Sequence, residues 1–116
     1  CKFEWQSRKT TKTMQAKGVI NKQKISVTVL GAKNLLKTDM TSLPDPFATL
    51  IVRDRGTLKS TTTKQKSGTP TWNEEFEFEV VDSINDMLDV TVYDYDSFGR
   101  NDFLGTCSVP VAMIAV

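Results

Sequence analysis

The sequence predicts an all-β domain, an antiparallel sandwich or barrel, and three observations predict it. From Lys24 onward apolar and polar residues alternate with period two, the mark of strands that bury one face. Clusters of Pro, Gly, Asp, Asn and Ser punctuate the alternating runs at short intervals. No long stretch carries the periodicity of an amphipathic helix. Short strands at this spacing pair their buried faces into one core, and 116 residues with 39% hydrophobic and 25% charged residues suit one such domain.

Taken in order, residues 1–23 are basic and weakly patterned. Phe3 and Trp5 alternate with Lys2, Glu4 and Gln6, which predicts that this segment supplies an extra strand to residues 24–116, with two as the upper limit. "KISVTVL" sets Ile25, Val27 and Val29 against Ser26 and Thr28. "PFATLIV" is a more continuously apolar strand, and "GTLKSTTTK" a polar one rich in β-branched Thr. "WNEEFEFEV" sets Phe76, Phe78 and Val80 against Glu75, Glu77 and Glu79, which read as a solvated sheet face. "MLDVTVYD" and "DFLGTCSVPV" complete six strands after residue 23. "TSLPDP", "RDRG", "SGTP", "DSIND" and "SFGRND" are the turns between them.

Composition narrows the chemistry. Histidine is absent, which removes the usual general base, the Ser-His and Cys-His nucleophile pairs and the His-rich zinc sites. No run approaches the roughly 18 apolar residues of a membrane-spanning helix. Cys1 and Cys107 are expected to be free thiols, because one of them sits at a frayed end; with no Asn-x-Ser/Thr sequence, this points to the cytosol. A start at Cys1 and a stop at Val116 in mid-pattern are expected of a fragment of a longer protein. The net charge of +1 hides an asymmetry. Residues 1–24 hold seven basic groups against Glu4 alone, and the remainder eight basic against thirteen acidic groups. Nucleic-acid binding has no support beyond that basic segment, which lacks a reading motif.

The acid gathers in two loops. "LLKTDMTSLPDPF" holds Asp39 and Asp45; "VYDYDSFGRNDFLG" holds Asp94, Asp96 and Asp102. Like charges crowded at one end of a sandwich repel by about 1 kcal/mol per pair at 4 Å even in water. A cation makes the arrangement sensible, and clustered carboxylates without thiolate or imidazole are hard oxygen ligands that suit calcium. An EF-hand loop is excluded, because Phe98 and Gly105 stand where ligands would be needed and no helices flank the segment.

These two loops together resemble those of the C2 domain family, the calcium- and lipid-binding module of protein kinase C and synaptotagmin. The resemblance runs from about Lys24 to Val111 through "KISVTVLGAKNLLKTD", "LPDPFATLIV", "TPTWNEEFEFEV" and "LDVTVYDYDSFGRNDFLG". It implies a Greek-key β-sandwich, here of seven to eight strands, with residues 1–10 or a segment beyond Val116 supplying the last one. It also implies two calcium ions held by Asp39, Asp45, Asp94, Asp96 and Asp102 with the carbonyls of Met40 and Tyr95; Gly99 stands where some members place a serine ligand for a third. Met40 and Phe98 match loop-tip positions that enter the bilayer, with Leu43 as a further candidate to join them, and Arg100 stands beside them to meet lipid phosphate. A phosphoinositide site found in some members is reduced here to Lys59, Lys64 and Lys66. The implied function is calcium-dependent binding to anionic phosphatidylserine membranes by a non-enzymatic, monomeric, cytoplasmic module that recruits a larger protein. Calcium-independent protein or intramolecular docking is the alternative.

Overall fold

The computed structural model describes residues 3–7, 11–14, 21–35, 42–54, 56–81 and 84–114. Among these, eight strand segments form two antiparallel sheets: β1 Phe3–Ser7, β2 Thr11–Met14, β3 Asn21–Ala32, β4 Pro46–Val52, β5 Lys59–Ser60, β6 Thr71–Val80, β7 Met87–Asp94 and β8 Asp102–Pro110. A single helical turn, α1 Val111–Ile114, follows. In the first sheet β3 is central. β6 pairs along one edge of it, and β1 and β2 follow one another along the other edge, from Phe3 opposite Ala32 to Met14 opposite Asn21. The second sheet has the order β5-β4-β7-β8. The chain crosses between sheets after β3, β5 and β6, which makes the sandwich a Greek key.

Side-chain alternation explains the layering. Ile25, Val27 and Val29 of β3, Ala48, Leu50 and Val52 of β4, and Leu88, Val90 and Val92 of β7 are all 2% exposed or less and meet in one core with Trp72, Phe78 and Val80 of β6. "PFATLIV" therefore alternates after all: Phe47, Thr49 and Ile51 face outward, although two of the three are apolar. The Thr-rich run forms a ladder at Lys59–Ser60 alone. Beyond it the chain still follows β4, but loosely: Thr61 N donates to Ala48 O, and Thr61 Oγ1 takes the Ala48 N–H in return, at 2.9 Å each.

One glycine is required. Between Val29 and Gly31 the register with β6 shifts, and Asn73 accommodates the bulge with φ 52°. Ala32 N donates to Pro70 O here, and a Cβ on Gly31 would lie 2.3 Å from that same carbonyl oxygen.

The thiols depart from expectation. Cys107 is buried in β8 and disulfide-bonded, the other end of the bond lying outside the described residues. Free thiols are the expectation for a chain whose start frays. Instead a backbone ladder to β3 holds it from Phe3 onward. Placement in a reducing compartment therefore gains nothing from the cysteines.

At the end of the second sheet away from the loops rich in aspartate, Arg53 donates to both oxygens of Asp89 at 2.8 and 2.9 Å, and Ser108 Oγ donates to Asp89 Oδ1. The Arg53 hydrogen bonds hold the Asp89 carboxyl below the usual carboxylate range, against an opposing effect of partial burial. A carboxyl lowered on folding stabilises the native state above its unfolded pKa, and that stability is lost as pH falls through the lower folded value. Asp89→Asn should therefore lower the melting temperature at neutral pH, and the difference between the two chains should shrink as pH falls through the lowered folded value. Gly31→Ala should cost about 1–3 kcal/mol in urea unfolding, because the obstructing atom is backbone.

Candidate metal and membrane-docking rim

Three connections meet at one end of the sandwich: residues 33–45 between β3 and β4, 61–70 between β5 and β6, and 95–101 between β7 and β8. Strand register delivers carboxylates there. β4 and β7 pair until Pro46 stands opposite Asp94, and β7 and β8 until Asp94 stands opposite Asp102. One step beyond, Tyr95 N donates to Asp45 O at 2.9 Å, and Asp45 N donates to Asp94 Oδ1 at 2.8 Å. Asp45, Asp94 and Asp102 thus occupy neighbouring ends of three adjacent strands. Asp94 is in phase with Leu88, Val90 and Val92, so it turns towards the space between the sheets and is 3% exposed.

The middle connection buttresses this end. Lys64 N donates to Pro46 O and Ser67 N to Pro44 O, while Leu35 N donates to Gly68 O, so residues 64–68 tie β4's approach to β3's exit. Between those bonds Lys66, in the left-handed region at φ 48°, donates its N–H to Asp45 Oδ1 at 2.7 Å. Pro44 and Pro46 bracket Asp45 and fix the backbone that this contact needs.

The third connection closes on itself. Asp96 Oδ1 accepts from Phe98 N at 2.8 Å, and Asp96 N donates to Asn101 Oδ1 at 2.9 Å. Phe98 is held at the tip of this turn with 99% of its surface exposed. Leu43 is 49% exposed on the neighbouring connection, and Arg100 is exposed beside Phe98. Asp39 and Met40 lie outside the described residues.

Asp45, Asp94 and Asp96 each have one oxygen bound by a backbone N–H, which fixes the plane of the carboxylate. Among the described residues no three acidic or cysteine side chains converge closely enough to share one ion. The donor chemistry still fits a hard cation: these are carboxylates, with no imidazole in the chain and Cys107 in a disulfide. Asn101 and the Lys66 N–H are parts of the site that sequence reasoning missed. The signal for Asn101 was a short amide in the turn that starts after Asp96; the Lys66 contact depends on a backbone angle and left none.

The three lysines are not brought together. Lys64 and Lys66 flank the rim. Lys59 pairs with Leu50, four residues along β4 from Pro46 and so about 13 Å further down the sheet. It reaches across to β6, where its ammonium lies 5.0 Å from the Phe78 ring centroid and donates to Glu77 O. Glu77 and Glu79 line the same recess of about 380 Å³, an unfavourable setting for a phosphoinositide.

Comparison with known proteins agrees with this architecture. The C2 domain model matches residues 23–115, and the chain belongs to the C2 domain family, whose members are membrane- and lipid-binding modules. Synaptotagmin-5 of Arabidopsis thaliana is 34% identical over 98 residues, which are 84% of this chain and 17% of that protein. Ras GTPase-activating protein 4B of Homo sapiens is 37% identical over 93 residues, 80% of this chain and 11% of that protein. The chain thus spans less than a fifth of either relative's length. Among solved structures, a C2 domain of plant Extended Synaptotagmin 1 superposes with a TM-score of 0.72 at 32% identity, covering 77% of this chain and 69% of that one.

Asn101→Ala removes the acceptor of the Asp96 N–H at an exposed position, so its cost in global stability should stay below about 1 kcal/mol. The amides of residues 96–98 should nonetheless exchange faster with deuterium while those of β7 keep the parent's protection.

Proposed function

We propose that the chain binds anionic, phosphatidylserine-containing membranes in a calcium-dependent manner and so brings a larger protein to the bilayer. The observation that carries this reading is the delivery of Asp45, Asp94 and Asp102 to adjacent strand ends, with Asp96 in the intervening turn, directly beside a fully exposed Phe98. Asp39, Asp45, Asp94, Asp96 and Asp102, with the carbonyls of Met40 and Tyr95, are the residues that would hold two calcium ions. When bound, calcium supplies positive charge at the rim and coordination positions for lipid oxygens.

The chain's own residues do the rest. With its carboxylates ionised, the rim repels an anionic surface, and this repulsion is the off state of an electrostatic switch. Phe98, with Met40 and Leu43, buries apolar surface in the interface, each side chain worth up to roughly 1.5–3 kcal/mol when fully buried. Arg100 adds a planar donor for lipid phosphate. Phosphoinositide contact at the rim falls to Lys64 and Lys66 and not to Lys59. Among the described residues no helix is long and apolar enough to cross a membrane, and a peripheral, cytoplasmic location belongs to the same proposal.

A second reading, calcium-independent docking to a protein or to another part of the parent chain, draws on one observation. Backbone N–H groups already satisfy an oxygen each of Asp45, Asp94 and Asp96, so the loops hold their shape through internal bonds. One pair of measurements separates the two. Under the first reading millimolar calcium raises the melting temperature by mass action, and Asp94→Asn abolishes that rise. Sedimentation with phosphatidylserine vesicles should then require calcium, and Phe98→Ala should weaken it without changing the calcium-induced rise. An unchanged melting temperature at millimolar calcium would favour docking.

A further inference from the structure

We propose that the domain docks on an anionic bilayer tilted towards its second sheet, so that an aromatic row on the outer face of β4, β7 and β8 lies at the headgroup level behind the inserted Phe98. This rests on the membrane-binding reading above and adds the orientation and the residues that fix it.

The row is set by register. Immediately below the carboxylate level, Phe47 stands opposite Tyr93 and Tyr93 opposite Phe103. The Phe47 and Tyr93 rings stack at 5.7 Å, Phe103 meets Tyr93 edge-on at 6.5 Å, and Tyr95 meets Phe47 edge-on at 6.5 Å. The cluster is apolar and outward. Phe103 is 61% exposed and Tyr95 49%, while Phe47 and Tyr93 are half-buried beside the fully buried Ala48 and Val92. A bulge between Val92 and Tyr93 re-aims this part of β8, leaving Phe103 exposed while Leu104 packs against the core. Rings with an apolar body, two of them carrying a hydroxyl, suit the boundary between headgroups and acyl chains.

The charge pattern of the second sheet admits this tilt. Behind the aromatic row comes a neutral one, Thr49, Thr91 and Thr106, joined by a 3.2 Å hydroxyl contact between Thr91 and Thr106. The first charge on this face is Asp89, which Arg53 neutralises at 2.8 Å. On the other sheet, the exposed positions of β6 run Thr71, Asn73, Glu75, Glu77 and Glu79 from the same rim, with Glu79 opposite Lys24. The basic residues Lys12, Lys22 and Lys24 register with the start of β3, at the end far from the rim. An anionic surface that meets the loops is therefore admitted along the outer face of the second sheet. The aromatic row is continuous with the loop tip, so tilting this way extends the buried apolar surface without moving the loops.

The test is calcium-dependent sedimentation with vesicles of phosphatidylserine and phosphatidylcholine. Phe103→Ser should weaken vesicle affinity about 3- to 10-fold, the effect of withdrawing part of one aromatic side chain from the interface. Phe103→Trp should retain or strengthen it, and Glu77→Gln should leave it within about twofold. The calcium-induced rise in melting temperature, read on the same samples, should be unchanged in all three and confirms that they fold. Parent-like vesicle affinity for Phe103→Ser, with Phe98→Ala still impaired, would overturn the tilt and leave the membrane reading intact. No vesicle binding by the unmodified chain would overturn both. Loss of a concentration-dependent self-association on Phe103→Ser, with vesicle affinity unmoved, would assign the aromatic row to a second copy of the chain and likewise overturn the proposal.

Discussion

The pairing of β4 with β7 is the constraint on which the rest depends. Its ladder runs from Val52 opposite Leu88 to Pro46 opposite Asp94, and its last contacts are Tyr95 N to Asp45 O and Asp45 N to Asp94 Oδ1. The same register does three things. It closes the core through Ala48, Leu50, Val90 and Val92; it turns Phe47 and Tyr93 outward; and it sets two carboxylates from residues 49 apart in sequence side by side. Because side chains alternate with period two, a slip of one residue would exchange the buried and exposed faces and carry Asp94 out of the inter-sheet mouth. Core packing, the strongest driving force in the domain, therefore also positions the rim.

The rim itself works against folding. Carboxylates brought to adjacent strand ends repel one another, and in the described residues that repulsion is met by hydrogen bonds from the backbone: Lys66 N to Asp45, Asp45 N to Asp94 and Phe98 N to Asp96. These bonds orient the carboxylates but carry no net charge to offset theirs. A divalent cation would, and this difference between orientation and neutralisation is what makes the end responsive to an ion. At the opposite end of the second sheet a carboxylate is met by a charge of its own chain, Arg53 with Asp89.

Much of this was legible in the sequence, and the reason is periodicity. The alternating runs at residues 25–29, 76–80 and 88–92 became the core faces of β3, β6 and β7 because a half-buried strand leaves no other pattern. The two acidic loops were legible because so many like charges at short spacing have few other reasons to be there. What escaped was decided by backbone geometry or distant contacts. "GTLKSTTTK" has strand-forming residues, yet pairs regularly at Lys59–Ser60 alone, since the chain beyond bends to deliver Lys66 at positive φ to Asp45. Lys59 groups with Lys64 and Lys66 by proximity in sequence, but the strand carries it to Phe78 and Glu77 instead. The disulfide at Cys107 escaped because the strand Phe3–Ser7, laddered to β3, has only the weak alternation of Phe3 and Trp5 to announce it.

The central claim is that calcium acts at this one end through carboxylates already oriented by backbone N–H groups. Amide nitrogen–proton correlation spectra recorded during a calcium titration test it most directly, since the reporter amides are known. Those of Asp45, Phe98 and Lys66, each donating to a carboxylate oxygen, should show the largest saturable shifts, while those of Arg53 and Val111 at the opposite end stay in place. Spectra unmoved at millimolar calcium, or shifts spread over the sheets with none at those three amides, would contradict it.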